Sequence, residues 1–159
     1  MAKTQLINNE APFNQLIEWV FNLPHCKTLG LEFFENRERH IVIKLPYQEH
    51  LIGDLKTGVI HGGAITTMID TASSLAVFAK LPTIKTIATL DLRIDYLRVA
   101  TPHLPIYCKA ECYRLSRHIA FTRATAYQAD NNNPVAYGVG TFMRSSSTTV
   151  IKSEFNHDQ

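Results

Sequence analysis

The run from Gly58 to Lys80, GVIHGGAITTMIDTASSLAVFAK, constrains the fold more than any other part of the chain. From His61 to Lys80, with Pro82 closing the run, the residues are apolar or small on nearly every side of a helical wheel. Such a helix belongs inside a core or an interface. Yet Asp70 sits in its middle. A buried, unpaired carboxylate is costly, so it takes a partner or neutralises. The run therefore either hides a structural ion pair, with an arginine such as Arg93 or Arg98, or builds a site.

Around this helix the hydrophobic period changes. Phe13, Leu16, Ile17, Val20 and Phe21 recur at helical spacing, and Pro24 ends that short amphipathic helix. Residues 29–46 read as a hairpin around the polar turn Glu35–Glu38, and 47–60 as a loop punctuated by Gly53 and Gly58. Beyond Pro82 the period falls to 2, predicting strands over 86–99, 104–116, 118–130 and 135–144. Their short connections imply an antiparallel meander. The order predicts an α+β fold, a curved antiparallel sheet wrapped around one central helix. A sheet covers only one side of that helix, and a second copy of the chain would cover the other. The 159 residues suffice for a single core. They divide into an N-terminal helical segment (1–28), the main domain (29–144) and a polar tail (145–159) expected to fray.

Composition narrows the function classes. The net charge of +2 and the lack of a dense Lys/Arg block argue against nucleic acid as partner. The first fifteen residues lack the apolar core of a signal peptide, and no apolar run is long enough to span a bilayer, so a cytoplasmic protein is expected. Cys26, Cys108 and Cys112 form an odd, sparse set that suits free thiols. Their spacing and the scattered histidines predict no metal site and no cofactor.

Gly62 and Gly63 stand where the central helix begins. The first amides of a helix have no internal partners, and with the positive end of the dipole they suit a developing oxyanion. Gly62 and Asp70 are eight residues apart, about 12 Å along one helix. One reacting carbonyl cannot touch both within one subunit. Cooperation demands Gly62 from one chain and Asp70 from its neighbour, as two antiparallel central helices would provide. A carboxylate facing an oxyanion hole suits hydrolysis of an activated acyl group, with Asp70 as general base or as nucleophile. A thioester fits better than an amide, because a thiolate of pKa roughly 8.5 leaves without a strong acid. No Gly-x-Ser-x-Gly elbow is present.

GVIHGGAITTMIDTASS, with IATLDLRIDYLRVA (87–100) and AYGVGTFM (136–143), resembles the hotdog-fold acyl-CoA thioesterases of the PaaI-like branch. In that branch a His-Gly-Gly opens the central helix and an acid follows nine positions after the histidine. The resemblance implies a hotdog fold and a homodimer or dimer of dimers acting on acyl-CoA. It implies that Asp70 is the reacting carboxylate, that the Gly62 amide polarises the carbonyl and that His61 orients the thioester. Thr89 matches a hydroxyl that places water. Gly63, Ser74, Tyr96, Arg98 and Asp54 complete the expected substrate-binding set. Asp54 stands where relatives often carry Asn, either as a second acid near the site or as a loop residue. Strict alternation puts Thr89 with Asp91 and Arg93, away from Leu90, Leu92 and Ile94. Thr89 can therefore reach the pocket only through a bulge or from a dimer edge. Two other readings stand beside hydrolysis: a hotdog protein that binds acyl-CoA without turning it over, and a hydratase or dehydratase using His61 and Asp70.

Overall fold

The computed structural model describes residues 10–37 and 40–148. Twelve successive residues of β-period sequence, Lys85–Tyr96, form the strand β5. It is followed by β6 (Ile106–Leu115), β7 (Ile119–Tyr127) and β8 (Ala136–Thr148), and preceded by β1 (Glu32–Arg37) and β2 (His40–Leu45). These six strands make one antiparallel sheet in the order β1-β2-β6-β7-β8-β5. The helix α3 (Gly62–Lys80) packs against this sheet, touching β2, β5, β6, β7 and β8. This is the expected α+β hotdog arrangement. Met68, Ile69, Leu75 and Val77 of α3 are fully buried against the sheet. Each contributes about 1.5–3 kcal/mol by leaving water.

Four local expectations are corrected. Pro24 does not only stop a helix. After α1 (Glu10–Asn22) it opens a second short helix, α2 (Pro24–Leu29), as the first helical residue, where the missing N–H costs nothing. Gly30, at φ 65°, ends α2 in the left-handed conformation. The Glu35–Arg37 segment is strand paired to β2, not turn, with Arg37 opposite His40. The 47–60 loop contains a two-stranded ribbon of β3 (Ile52–Asp54) and β4 (Val59–Ile60). Strand β8 also runs four residues past the expected Arg144 end, to Thr148. The rest of the polar tail, from Thr149, lies outside the described residues.

The side of α3 away from the sheet is not left wholly to a second copy. The chain's own α2 covers one flank, with His25 Nε2 3.3 Å from Thr67 Oγ1 and the Cys26 thiol hydrogen-bonded to Thr71. The flank carrying Gly62, Thr66, Asp70 and Ser74 faces β5 and is only partly covered.

All three cysteines are free and buried. Burial pushes each thiol up, Cys108 far above the ordinary thiol range. Because the thiolate is the reacting species, the native protein is expected to react with a disulfide reagent far more slowly than the unfolded chain. A time course of aryl thiolate release, native against guanidinium-unfolded, checks this. Rapid native release would contradict the packing. Slow release makes free-thiol detection usable for assays.

Candidate active site

The site begins with the ribbon that delivers His61. Strands β3 and β4 pair, and His61 N–H donates to Leu51 O at 2.8 Å. Gly53 lies so close that a Cβ there would sit 2.7 Å from His61 Cα and 3.1 Å from its nitrogen. Backbone cannot yield as a side-chain tip can. Gly53→Ala is therefore expected to cost roughly 1–3 kcal/mol, lowering the thermal unfolding midpoint and displacing His61. Thermal melts beside turnover measurements check this.

His61 is the N-cap of α3. Its Nδ1 accepts the Gly63 N–H at 2.9 Å, so its ring proton, when neutral, is on Nε2. The two glycine amides thereby differ. Gly63's is occupied within the chain, which sets aside its expected contact to substrate through that N–H. Gly62's N–H, the first of the helix, has no acceptor among the described residues.

Eight residues along, half-buried Asp70 accepts a hydrogen bond at Oδ1 from Thr89 Oγ1, 2.9 Å away. A bulge makes this contact possible. In the β5–β8 ladder Thr89 faces Phe142 and Asp91 faces Thr141, leaving Leu90 as the extra residue. That extra residue reverses the alternation, so Ile87 and Thr89 face α3 before it, and Leu92 and Ile94 after it. The arginine partners considered for Asp70 are engaged elsewhere. Arg93 pairs with Asp95 at 3.0 Å, and Arg98 donates to Asn133 O and Val99 O. Among the described residues Asp70 forms no salt bridge.

The other expected residues fall into place around this frame. Ser74 is half-buried one helical turn beyond Asp70. Tyr96 Oη donates to Gly62 O at 2.6 Å. Asp54 is a turn-builder: its Oδ1 accepts Lys56 N–H at 3.0 Å and its Oδ2 the Thr57 hydroxyl at 2.7 Å. The Thr57 hydroxyl and the Lys56 amide hold its carboxyl below the usual range. A groove of about 370 Å³ opens beside Gly62, walled by Ile60, Ile65, Leu97, Val99, Ala100 and Val135 and also by the expected Tyr96 and Arg98. Sequence reasoning missed Thr66, whose Oγ1 is 2.9 Å from Tyr96 Oη. Its position four residues after Gly62, on one helical face, was the available signal. Among the described residues no three His, Cys, Asp or Glu side chains cluster to hold a metal. No helix among them is long and apolar enough to cross a membrane.

Comparison with known proteins draws on this same segment. The family described as the thioesterase superfamily matches residues 57–135, from the turn before His61 to the start of β8. A Pseudomonas aeruginosa protein of known crystal structure is 42% identical, with a TM-score of 0.76, over 84% of this chain and 98% of that one. The chain belongs to the thioesterase superfamily. Within that superfamily it is similar to the phenylacetic acid degradation protein PaaI of Thermus thermophilus, in a mutant structure. The identity there is 26% and the TM-score 0.66, over 77% of this chain and all (100%) of that one. It also matches a medium/long-chain acyl-CoA thioesterase, YigI, of Salmonella typhimurium, 26% identical over 50% of this chain and 60% of that protein. The chain spans between 50% and 60% of the length of the curated relatives it matches.

Proposed function

We propose that this thioesterase-superfamily protein hydrolyses acyl-CoA thioesters, at sites shared between two copies of the chain. The observation that carries this reading is the half-buried Asp70, held by the Thr89 hydroxyl and forming no salt bridge among the described residues. Asp54, a structural carboxylate, has both oxygens taken up by donors of its own turn. Asp70 is oriented by one neutral donor and keeps its second oxygen for chemistry.

Asp70 takes the proton of a water as that water's oxygen attacks the thioester carbon. Alternatively, its own oxygen attacks, and water then cleaves the mixed anhydride. In either route the carbonyl oxygen gains charge, which the Gly62 N–H and the positive helix end stabilise. The C–S bond breaks, and the thiolate of CoA takes up the released proton. Because Gly62 and Asp70 of one chain are about 12 Å apart, the Gly62 amide comes from the partner copy. Strand β5 supports such pairing. It is the outermost strand, and its far edge joins no other strand among the described residues. Asp54, its oxygens spent in its own turn, is a loop residue in this reading.

The similarity to a medium/long-chain acyl-CoA thioesterase favours straight-chain acyl groups over small aryl ones. A panel of short-, medium-, long-chain and aryl-acyl-CoA esters with free-thiol detection tests this. Release of CoA is expected, fastest with a medium or long chain. An acyl-CoA that binds and stays intact for hours would turn the reading to a binding protein. Hydration of crotonyl-CoA without thiol release would turn it to a hydratase.

A further inference from the structure

The reading above assigns the Gly62 N–H to the oxyanion, yet the helix that presents it starts with two glycines. Glycine carries the largest backbone entropy, and helix ends fray. A hydrogen-bond donor that must meet a developing charge has to be held to a fraction of an ångström. The chain therefore needs a device that fixes its first helical turn.

Strand β5 supplies one. Tyr96, its last residue, donates its hydroxyl proton to the Gly62 carbonyl at 2.6 Å. A hydroxyl has one proton, so the Thr66 hydroxyl, 2.9 Å from Tyr96 Oη, is the donor to Tyr96. The result is a chain Thr66 O–H to Tyr96 O–H to Gly62 C=O, in which each bond strengthens the next. The ring seats directly on Gly62: a Cβ there would lie 3.2 Å from Tyr96 Oη and 3.4 Å from Cζ.

Parity adds the decisive point. Thr89 and Tyr96 are seven residues apart, and a regular strand would put them on opposite faces. The extra residue Leu90 puts both hydroxyls on the helix side, one on Asp70 and the other on Gly62. We propose that Tyr96 is a positioning residue, clamping the Gly-Gly start of α3 so that the Gly62 N–H keeps its aim. The Leu90 bulge makes β5 the common brace of both halves of the chemistry. This gives Tyr96, which also lines the groove, a role beyond the expected substrate contact, and it rests on the thioesterase reading.

Tyr96→Phe keeps the ring on Gly62 and removes only the hydroxyl. It is expected to lower kcat about tenfold with KM within about twofold of wild type. Thr66→Val should lower the same parameter less, and the double variant should be no worse than Tyr96→Phe alone. Hydrogen exchange at the Ala64 amide, which donates to His61 O at 3.0 Å, should quicken in Tyr96→Phe. Raised KM with intact kcat would make Tyr96 a substrate contact and overturn the proposal. So would a lowered melting point with full kcat, or unchanged exchange at Ala64. A wild-type protein that cleaves no thioester would overturn the function itself. An active wild type whose Tyr96→Phe variant keeps full kcat overturns this inference alone.

Discussion

Asp70→Asn is expected to lower kcat for the best acyl-CoA by roughly 10²–10⁴-fold, with KM and thermal midpoint near the wild-type values. The amide has the shape of the carboxylate, and its oxygen can still accept from Thr89 Oγ1, which lies 2.9 Å from Oδ1. Among the described residues no cation is left unpaired, because Asp70 forms no salt bridge and Arg93 and Arg98 are bound elsewhere. What disappears is the ability to take a proton from water or to attack carbon. A purely structural Asp70 would show the reverse pattern, with stability lost and turnover per folded molecule kept. Steady-state kinetics beside thermal unfolding separates the two, and a kcat within twofold of wild type would sink the assignment. In the active protein, a single turnover in ¹⁸O-water locates the carbon that water attacks. Label left on the Asp70 carboxyl identifies an anhydride opened there. Label in the released acid shows that water attacked the acyl carbon, of the thioester or of the anhydride, and trapping the acyl-protein then separates those two.

The fold was legible wherever one physical rule acted alone. The α3 helix announced itself by its apolar girth and its His-Gly-Gly start. The strands after Pro82 did so by their period. What the sequence hid were positions where one residue serves two incompatible rules. Pro24 both ends a helix and begins one, and only the packing of Cys26 and Leu29 into the core decides that a second helix follows. Leu90 continues the even-numbered series with Leu92 and Ile94, so β5 reads as regular from 90 onward. In the fold Leu90 is the exposed extra residue, and the alternation reverses there. That either a bulge or a dimer edge was required could be argued from Thr89 alone, since an odd-numbered hydroxyl had to join an even-numbered face. That the same bulge also brings Tyr96 onto Gly62 could not, because no pattern in the residues pairs Tyr96 with α3. Asp54 is the converse case. Its Asp-Leu-Lys-Thr-Gly setting is ordinary turn chemistry, in which the carboxylate binds the amide two residues on.

The shared nature of the site yields the second large effect. Gly62→Pro is expected to lower kcat by roughly 10²–10³-fold, the usual loss for one oxyanion donor. Gly62 is the first helical residue, where proline is at home. The preceding His61 has φ −61° and ψ 133°, the extended conformation that a following proline imposes. The substitution thus deletes one N–H with little backbone cost. Its side effect is crowding, since a Cβ on Gly62 comes within 3.2 Å of Tyr96 Oη. Gly62→Ala carries the same crowding with the N–H intact, so the ratio of the two variants isolates the amide. Mixing then tests geometry. If Asp70 of one chain works with Gly62 of its partner, a heterodimer of Asp70→Asn and Gly62→Pro chains holds one site with both groups intact and one with neither. Random exchange of subunits makes half the dimers hybrid, so roughly a quarter of wild-type activity should return from two inactive proteins. A site confined to one chain gives no recovery, because every chain in the mixture lacks one group. Measuring turnover after unfolding and refolding the two variants together, against each refolded alone, decides between these arrangements.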